Sequence, residues 1–440
     1  MKLSSLIGHA IEAALGIEHE QRPADSLIDS FFRSRKYLGS HDRRFIAETV
    51  YGMLRWKLTL DAIVERAVPA EARMGRDLFS SNLITYRCAA YLLRSVRHDA
   101  AELAQEFPES ARASVMEIAA HADDAVAVDD PVQGLSYAES FPEWMAAQWI
   151  GRYGREEAVK LCHALNENAP VTLRVNTIKA TVEECRAALS REGVESEPTK
   201  LSPFGLNLRR RINVFQLAAF KEGLFEVQDE GSQLLALLVD PKPSAKVVDA
   251  CAGAGGKTLA LGAVMKNRGV IYSMDVHTGR LEELRKRLRR SGADTVRVRV
   301  VDGETLPDDL AGIADNVLVD APCSGLGTIR RNPGMKWSVT PQVVEEISMK
   351  QHRILDLYSK AVKPCGILVY ATCTTMKAEN EDVVEAFLAA HPEFTLEDPA
   401  KRLARYGLET LVDSHYFQLL PHRHDTDGFF AAVMKKTGTV

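Results

Sequence analysis

From about residue 245 onward, short apolar runs alternate with longer stretches of helical periodicity, and this alternation constrains the fold more than any other feature. Four apolar runs lead into an aspartate, at Asp249, Asp275, Asp302 and Asp320, and a fifth leads into Cys373. Alternating strands and helices predict a parallel sheet that is covered by helices on both faces. The carboxyl ends of parallel strands meet at one edge of the sheet, where such folds bind ligands, so we expect these five residues to lie along that edge.

The residues before this pattern divide into a helical part, an acidic stretch and a mixed part. Apolar side chains recur at helical spacing and strand-like alternation is absent, which predicts a small all-α domain over residues 1–120. Residues 121–140 are acidic and poor in large apolar side chains, so we expect a linker there. Strand and helix patterns return over residues 141–240 as a small α/β subdomain, and residues 241–440 form the larger α/β domain.

Length, charge and cysteine content exclude several classes of protein. The chain has 440 residues, enough for two or three domains, and no apolar stretch approaches the length of a membrane span. His9 and Glu12 interrupt the beginning before the core of a secretion signal can form, so we expect a cytoplasmic protein without a membrane partner. The seven cysteines contain no Cys-x-x-Cys pair, which argues against a disulfide framework and against a metal site.

Nucleic-acid binding by this chain depends on local basic patches, because the formal net charge is −5. Two stretches are candidates: residues 33–44, which contain five lysines and arginines, and residues 209–211, which are three consecutive arginines. Arg330 and Arg331 are candidate phosphate contacts nearer the predicted site. A solvated surface is the plainer interpretation of each stretch. No protein partner is evident from the sequence.

The first of the apolar runs leads into a glycine-rich turn at the start of a predicted helix, over residues 249–258. Glycines in such a turn let backbone N–H groups approach a ligand at the helix N-terminus. A P-loop requires glycine where Cys251 stands, and a dinucleotide-binding loop requires glycine where Thr258 stands. The third alternative is the shorter loop of a methyltransferase, with Asp275 placed to bind ribose hydroxyls and Asp302 placed to accept from an adenine amino group.

Two cysteines, Cys323 and Cys373, follow the fourth and fifth predicted strands and face the same crevice. A thiolate there can attack carbon 6 of cytosine, which makes carbon 5 nucleophilic toward a methyl donor. Asp320 is placed to stabilise the charge that develops, and the Ala-Pro-Cys that follows it, instead of Pro-Pro-aromatic, disfavours amino-group methylation. The alternative is burial of the thiols as small hydrophobic side chains, which we expect of the other cysteines. These are Cys88, Cys162, Cys185 and Cys365, whereas for Cys251, within the glycine-rich turn, we expect packing or a backbone contact rather than catalysis.

Together these motifs resemble those of the RsmB/NSUN family of RNA cytosine-5 methyltransferases, over roughly residues 140–436. The resemblance implies a Rossmann-like class I domain that uses S-adenosyl-L-methionine, with Cys373 as the nucleophile and Cys323 assisting release of the product. Gly253-Ala254 replaces the family's Ala-Pro, and we expect the same ligand. The motif runs are residues 225–232, 249–258, 320–325, 330–333, 370–373, 379–381, 419–422 and 427–430. The implied cofactor and reaction-site residues are Cys251, Ala252, Gly253, Ala254, Gly255, Gly256, Lys257, Asp275, Asp302 and Asp320.

The helical part, through residues 42–52, resembles the NusB-like RNA-binding domain of the bacterial RsmB branch, and residues 141–240 resemble the family's small α/β RNA-binding subdomain. The resemblance therefore implies small-subunit (16S) ribosomal RNA as substrate and partner. Two alternatives stay open: a tRNA cytosine-5 methyltransferase, and a catalytically silent RNA-binding factor for ribosome assembly. The intact Cys323, Cys373 and Asp320 disfavour the silent factor, because a silent protein has no chemical reason to keep both thiols.

Overall fold

The structure is a computed structural model of the chain. Two compact units make up the fold and are described separately: a helical unit of Met1–Glu167 with Ile329–Val339, and an α/β unit of Asn168–Thr328 with Thr340–Val440. No helix in the part of the chain described is both long enough and apolar enough to cross a membrane. The residues that the structure describes are 1–20, 24–73, 82–124, 128–412 and 414–438.

The helices and strands of the described residues have the following bounds. The α-helices are α1 Leu3–His19, α2 Ala24–Ser34, α3 Ser40–Arg55, α4 Lys57–Ala67, α5 Ala70–Arg73, α6 Asn82–Arg94, α7 Ala100–Gln105, α8 Glu109–His121, α9 Pro131–Glu139, α10 Glu143–Tyr153, α11 Arg155–Asn166, α12 Val182–Arg191, α13 Ala218–Lys221, α14 Glu230–Val239, α15 Gly256–Val264, α16 Thr278–Ser291, α17 Met335–Ser338, α18 Pro341–Ser359, α19 Glu381–Ala390, α20 Ala400–Leu403 and α21 Pro421–His424. The strands are β1 Thr172–Val175, β2 Ser196–Pro198, β3 Gly205–Leu208, β4 Phe225–Val227, β5 Lys246–Asp249, β6 Val270–Asp275, β7 Val296–Val300, β8 Ala314–Asp320, β9 Val362–Thr372, β10 Phe394–Glu397, β11 Phe417–Leu419 and β12 Phe429–Lys436.

The helical unit contains α1–α11 and α17, and many of these helices bury an apolar face in a common core. Helix α3 buries Ile46, Val50 and Met53 at spacings of four and three residues, as an amphipathic helix does. Gly52 on the same helix faces Tyr91, where a Cβ atom would come within 2.1 Å of the ring. The predicted helical character of the N-terminal region is therefore confirmed, and it continues through α11.

The linker predicted over residues 121–140 is only partly correct, because the second half of that stretch forms helix α9. Asp130 caps the helix by accepting hydrogen bonds from two backbone N–H groups of the first turn, and Pro131 occupies the first helical position. Leu135 is buried and anchors the helix. The Asp-Pro start signal outweighs the polar composition from which the linker was predicted. Residues 125–127 of the predicted linker lie outside the described residues.

A small antiparallel sheet opens the α/β unit, with its strands in the order β2-β3-β1-β4. Helix α12 begins with a capping box in which the side chains of Thr181 and Glu184 each accept from the other's backbone N–H. Cys185 and Leu189 of this helix pack with Leu173 of β1 in a small core of their own. The sheet lies inside the predicted subdomain of residues 141–240, whereas α10 and α11 of that stretch belong to the helical unit.

The large sheet of the α/β unit has the strand order β10-β12-β9-β8-β5-β6-β7, with β11 paired to β12. Strands β5 to β9 are parallel, which confirms the predicted parallel sheet, and β12 runs antiparallel to both β9 and β10. The strand order reverses at β5, because β6 and β7 lie on one side of it and β8 and β9 on the other. Such a reversal opens a crevice at the carboxyl ends of the strands.

Candidate active site

The crevice at the reversal point is bordered by the ends of five parallel strands. β8 ends at Asp320, β5 at Asp249 and β6 at Asp275. β9 is followed at once by Cys373, and β7 ends two residues before Asp302. The structure therefore places the five residues singled out from the strand pattern along one edge of the sheet, with the two cysteine-bearing strand ends beside the aspartates.

Residues 251–255 form the turn between β5 and α15, and the helix begins at Gly256. Gly255 has φ +86°, and a Cβ atom there would lie 2.1 Å from the side chain of Leu284, so both conformation and space require glycine. Gly253 has φ +54°, and no atom lies within 4 Å of a Cβ built there. This glycine-rich loop, residues 251–255, is thus packed tightly on one side and open on the other.

Three hydrogen bonds hold the glycine-rich loop in place. The Ala252 N–H donates to a carbonyl of β6 at 2.9 Å, and the Gly253 N–H donates to the Asp275 carboxylate at 2.9 Å. From α16, Arg287 donates to the Ala254 carbonyl at 2.8 Å. The loop is therefore fixed by the strand that follows it and by the next helix, which leaves the N-terminus of α15 in a defined position.

The two aspartates predicted to bind the nucleoside have their carboxylates partly engaged by the chain itself. Asp275 accepts from the glycine-rich loop through Oδ2 and from the His277 N–H through Oδ1 at 2.8 Å. A carboxylate oxygen has further lone-pair capacity, so Asp275 can still accept from ribose hydroxyls. Asp302 is exposed, and bonds from Thr305 and Glu304 lower its pKa. Asp302 therefore stabilises its own turn by accepting these hydrogen bonds. Its contact with adenine stays a prediction.

Lys257 and Asp320 form an ion pair between the start of α15 and the end of β8. The distance from Lys257 Nζ to Asp320 Oδ2 is 2.7 Å. Burial alone would lower the pKa of Lys257. The negative charges of the Asp320 carboxylate and of a thiolate at Cys373 outweigh this effect, so the pKa of Lys257 is raised. Lys257 therefore stays charged at neutral pH, close to both the carboxylate and the thiol.

Asp249 is fully buried at the end of β5, and only one of its two carboxylate oxygens is hydrogen-bonded. Its Oδ2 accepts from the Thr258 hydroxyl at 2.6 Å, while its Oδ1 has no hydrogen-bond partner among the described residues. Burial raises the pKa of Asp249 to about 7; the Thr258 bond opposes this rise and the Asp320 charge adds to it. A buried acceptor without a partner at a ligand crevice is available to a donor on the ligand.

Cys323 and Cys373 lie side by side as free thiols. Their Sγ atoms are 3.3 Å apart, and the Cys373 N–H points at the Cys323 sulfur at 3.4 Å. The closeness follows from the sheet, because β8 and β9 are neighbouring parallel strands with Asp320 opposite Ala371. The hydrogen bond to Cys373, together with burial, raises the pKa of the Cys323 thiol. Two thiols this close do not ionise together, so the raised pKa keeps Cys323 protonated, and either sulfur can be the donor of the bond between them.

A buried carboxylate, Glu379, connects the two loops that carry the cysteines. It accepts from the N–H and the hydroxyl of Ser324 and from the hydroxyl of Thr374, the residues that directly follow the two cysteines. The Gln351 amide adds a further bond at 3.2 Å. Burial raises the pKa of Glu379, and the hydrogen bonds oppose that rise. Glu379 thus fixes the spacing of the two thiols without being next to either in the sequence.

Glu379 and Arg287 are the functional residues that sequence reasoning missed. Glu379 contributed only to a family-like run, and an acidic residue near the start of a helix is ordinarily exposed. Arg287 pairs with Glu226 at 3.0 Å and also reaches the carbonyl of Ala254. These partners are 61 and 33 residues away in sequence, so no local pattern connects them.

The other cysteines mostly follow the prediction of burial. Cys88, Cys162 and Cys185 are buried, and burial raises the pKa of Cys88 to about 12 and that of Cys185 to about 11. Burial also raises the pKa of Cys251, which makes this thiol a poor nucleophile. The prediction is wrong for Cys365, which is exposed. Cys365 has φ +62° and lies where β9 shifts register against β8, so its side chain leaves the alternation of the strand.

The predicted basic patches differ in how exposed their arginines are and in how many of their charges are paired with acids. Arg330 is only 4% exposed and is therefore a poor candidate for a phosphate contact, whereas Arg331 and residues 209–211 are exposed. In the stretch of residues 33–44, three basic side chains are neutralised by acids of the same unit. These pairs are Arg33 with Asp29, Arg35 with Glu12, and Arg44 with Glu48.

Comparison with known proteins places the chain in a family. Residues 236–435 match the family described as 16S rRNA methyltransferase RsmB/F, and residues 141–215 match the RsmF/B-like ferredoxin-like domain. The chain is 32% identical to the probable ribosomal RNA small subunit methyltransferase B of Bacillus subtilis strain 168, over 100% of both chains. It is 28% identical to the 25S rRNA (cytosine-C(5))-methyltransferase nop2 of Schizosaccharomyces pombe, over 70% of this chain and 53% of that relative.

A solved structure is similar to this chain over almost its whole length, as the Bacillus relative is. The crystal structure of PH0851 aligns with a TM-score of 0.79 and 28% identity, and the alignment covers 99% of both chains. The Bacillus relative exceeds 30% identity over the full length of this chain, which confirms the resemblance drawn from the motifs. The chain belongs to the RsmB/F family of methyltransferases.

Proposed function

We propose that this protein is an S-adenosylmethionine-dependent RNA cytosine-C5 methyltransferase that acts on 16S ribosomal RNA. The observation that carries the proposal is the pair of free thiols, 3.3 Å apart, at two adjacent strand ends beside the Lys257–Asp320 ion pair. A nucleophilic thiol with a fixed carboxylate is the set of groups that covalent addition to a pyrimidine ring requires. In this proposal residues 1–120 are a NusB-like RNA-binding domain, residues 141–240 a small RNA-binding subdomain and residues 241–440 the catalytic domain of a cytoplasmic enzyme.

The crevice suits S-adenosylmethionine by the chemistry of its acceptors. The ammonium group and the ribose hydroxyls of this cofactor donate hydrogen bonds, and the crevice offers the unpartnered Oδ1 of Asp249 and the carboxylate of Asp275. When bound, S-adenosylmethionine supplies an electrophilic methyl group on a sulfonium sulfur. The residues proposed to hold it are Cys251, Ala252, Gly253, Ala254, Gly255, Gly256, Lys257, Asp275, Asp302 and Asp320.

Cys373 is the nucleophile of the proposed reaction. Its thiolate forms a C–S bond to carbon 6 of cytosine and leaves carbon 5 with the electron density to accept a methyl group. Loss of the carbon 5 proton to solvent and breakage of the C–S bond then restore the aromatic ring. Cys323 stays protonated next to Cys373, so it can hydrogen-bond the departing sulfur and assist release. This division of labour between the thiols comes from the family resemblance, and the raised pKa of Cys323 supports it.

Asp320 is the proposed electrostatic partner of the cytosine ring. Its carboxylate can accept from the exocyclic amine and stabilise a proton at ring N3 while the adduct forms. Lys257 holds this carboxylate at 2.7 Å and so fixes its direction. The target base has to leave its stack in order to reach the thiol, as bases do in enzymes that modify them.

The choice of substrate rests on the relatives. The Bacillus relative is named as a methyltransferase of the small ribosomal subunit, and the Schizosaccharomyces relative as a cytosine-C5 enzyme of 25S rRNA. Methyl-labelled S-adenosylmethionine offered with unmodified 16S rRNA and with bulk tRNA tests the proposal, with nucleoside analysis of the products. We expect label in 5-methylcytidine from the rRNA. Label in tRNA alone would contradict the substrate, and no label in either RNA would contradict the enzymatic activity.

Variants of the two thiols test the mechanism. Cys373→Ala is expected to abolish methyl transfer and to leave binding of the cofactor intact. Cys323→Ala is expected to accumulate a covalent protein–RNA adduct, seen as a shifted band on a denaturing gel. Cys365→Ala, at the exposed cysteine of β9, is the matched control and should retain wild-type turnover. Turnover by Cys373→Ala, or a Cys323→Ala variant without the adduct, would overturn the assigned roles.

A further inference from the structure

The outer edge of the large sheet carries an arginine-rich groove that the proposed reaction does not use. β7 is the last strand of the sheet, and its sequence alternates valine and arginine over Val296–Val300. A groove of about 670 Å³ lies along β7 and α16. Four arginines line it, two from the helix and two from the strand: Arg285, Arg289, Arg297 and Arg299.

Three of these four positive charges are not neutralised within the described part of the chain. Arg285 and Arg289 form no ion pair there, and Arg297 donates only to the backbone carbonyls of Asp294 and Val296. Arg299 is the exception, because it forms a two-bond ion pair with Asp309. Its guanidinium also lies 4.9 Å from the ring of Tyr272, which gives the groove an aromatic wall.

A cluster of guanidinium groups that are not neutralised by acids attracts a negatively charged partner. The chain as a whole has a net charge of −5, so this edge differs in sign from the average surface. Guanidinium groups bind phosphate oxygens with two parallel hydrogen bonds and are weakly hydrated, which suits them to a nucleic-acid backbone. The groove is open and is lined by residues of both β7 and α16, so a stretch of phosphates can enter it from solvent.

The position of the groove relates it to the reaction site. β7 is four strands away from β9, which Cys373 follows, and a spacing of about 4.8 Å between strands puts these two strands about 19 Å apart across the sheet. The groove extends to Val270 and Val296, the first residues of β6 and β7, so an RNA chain with its target base at Cys373 can cross the strand ends and then run along β7 to reach it. We propose that the arginine groove along β7 and α16 binds the phosphate backbone of the RNA substrate outside the catalytic crevice. This inference rests on the proposed function.

Protection of the sheet edge is the competing explanation for these arginines. Charged side chains on an edge strand prevent pairing with another chain, whatever their sign. Replacement of arginine by glutamate keeps a charge on the edge but reverses its complementarity to phosphate. The two explanations therefore predict different outcomes for the same variant.

The test compares a triple variant, Arg285→Glu with Arg289→Glu and Arg297→Glu, with the corresponding triple lysine variant. Binding of a long 16S rRNA fragment is measured at several salt concentrations without cofactor. We expect the glutamate variant to bind at least tenfold more weakly at moderate salt. Its plot of log affinity against log salt should be less steep by about 2, because three phosphate contacts are lost. The lysine variant should stay within about threefold of wild type.

Methyl transfer to a short oligonucleotide that spans only the target base separates this inference from the proposed function. The glutamate variant should keep wild-type turnover on it, because none of the three arginines belongs to the catalytic crevice. Absence of turnover by the wild type would instead count against the proposed function, while RNA binding remains measurable. If the triple variant unfolds, the exposed Arg289→Glu alone should still weaken binding of the long RNA.

Unchanged affinity and salt dependence in the folded glutamate variant would overturn the inference. Loss of a wild-type dimer on sedimentation, with RNA affinity unchanged, would also overturn it and would identify a second copy of the chain as the partner.

Discussion

At the scale of single residues, the site depends on one carboxylate that touches neither cysteine. Glu379 is buried and bonds to Ser324 and Thr374, which directly follow the two cysteines. A buried carboxylate is costly unless its oxygens are satisfied, and here each oxygen has at least two donors. The pairing of β8 and β9 brings the two thiols together, and Glu379 holds them at 3.3 Å because both loops are bonded to the same carboxylate.

Glu379→Gln should lower catalysis more than it lowers binding. An amide replaces one of the two carboxylate oxygens by an N–H donor and removes the negative charge, so the bonds to Ser324 and Thr374 weaken and the spacing of the two loops is less tightly fixed. A displacement of about 1 Å between reacting groups can reduce the rate on the order of 100-fold. We expect kcat to fall by roughly that factor. The KM for RNA and the affinity for S-adenosylmethionine should change little.

The rate of covalent adduct formation in a single turnover checks this positioning role directly. Asp382→Asn, in the first turn of α19 and paired with the exposed Lys377, is the matched control and should behave as wild type. A Glu379→Gln enzyme that loses stability but forms the adduct at the normal rate would show that Glu379 is merely structural.

At the scale of elements, the strands could be predicted because each buried strand is a continuous apolar run with a polar end. β5, β6 and β8 end at Asp249, Asp275 and Asp320 as expected. Helix boundaries are harder to predict: α18 spans Pro341–Ser359, and Val362, only three residues later, already begins β9. A valine suits either element, and only its pairing with Ala314 of β8 assigns it to the strand.

Some residues of the candidate site can be predicted from the local sequence pattern, and others cannot. The glycine-rich loop and the two cysteines follow strand ends, so the pattern places them. Glu379 and the unpartnered Oδ1 of Asp249 depend on burial and on partners distant in sequence, which no periodicity encodes. Arg330 shows the same limit, because its burial contradicts the surface role that its charge indicated.

The turn after β8 crosses the start of β12 so closely that it requires glycine. A Cβ atom at Gly327 would lie 2.2 Å from the Gly428 carbonyl oxygen, and the Gly327 N–H donates to the Cys373 carbonyl at 2.9 Å. Gly327→Ala should therefore push the Cys373 loop out of place. We expect a loss of stability of about 1–3 kcal/mol, as in overpacked cores. Adduct formation should also slow.

Chemical denaturation and the single-turnover adduct assay measure the two effects of Gly327→Ala. Gly279→Ala, in the first turn of α16 with no atom within 4 Å of the added Cβ, is the control. It should be neutral or slightly stabilising, since alanine favours helix more than glycine does. Equal stability and equal adduct rates for the two variants would show that the loop tolerates the displacement.

At the scale of the whole molecule, the chain leaves the α/β unit shortly after Cys323 and returns to it at Thr340. The intervening residues, Ile329–Val339, belong to the helical unit. Lys336 is their anchor: it is fully buried, and its Nζ donates to the Arg55 and Ser140 carbonyls and to Asn166 Oδ1. The same ammonium lies 3.5 Å from the centre of the Phe141 ring. A single lysine thus ties this segment to three separate parts of the helical unit.

The buried Lys336 makes the stability of the protein depend on pH in a defined direction. Burial lowers the pKa of Lys336 well below its usual value, so the folded state holds its proton less tightly than the unfolded chain does. The cost of keeping Lys336 charged is therefore full at low pH and is relieved as the pH rises through its folded value toward about 10.4. Lys336→Met removes this titration and leaves carbonyl acceptors unpaired, a loss of about 1–3 kcal/mol at pH 7.

The stability deficit of Lys336→Met should grow as the pH rises from 7 to 9.5, because only the wild type gains from losing the proton. Thermal unfolding of both proteins at the two pH values measures this difference, and the exposed Lys160→Met, on α11 of the same unit, controls for loss of a surface lysine. A constant deficit would mean that Lys336 keeps its proton throughout. In that case its hydrogen bonds and the Phe141 ring, rather than deprotonation, compensate for its burial, and the segment after Cys323 is anchored by a permanent buried charge.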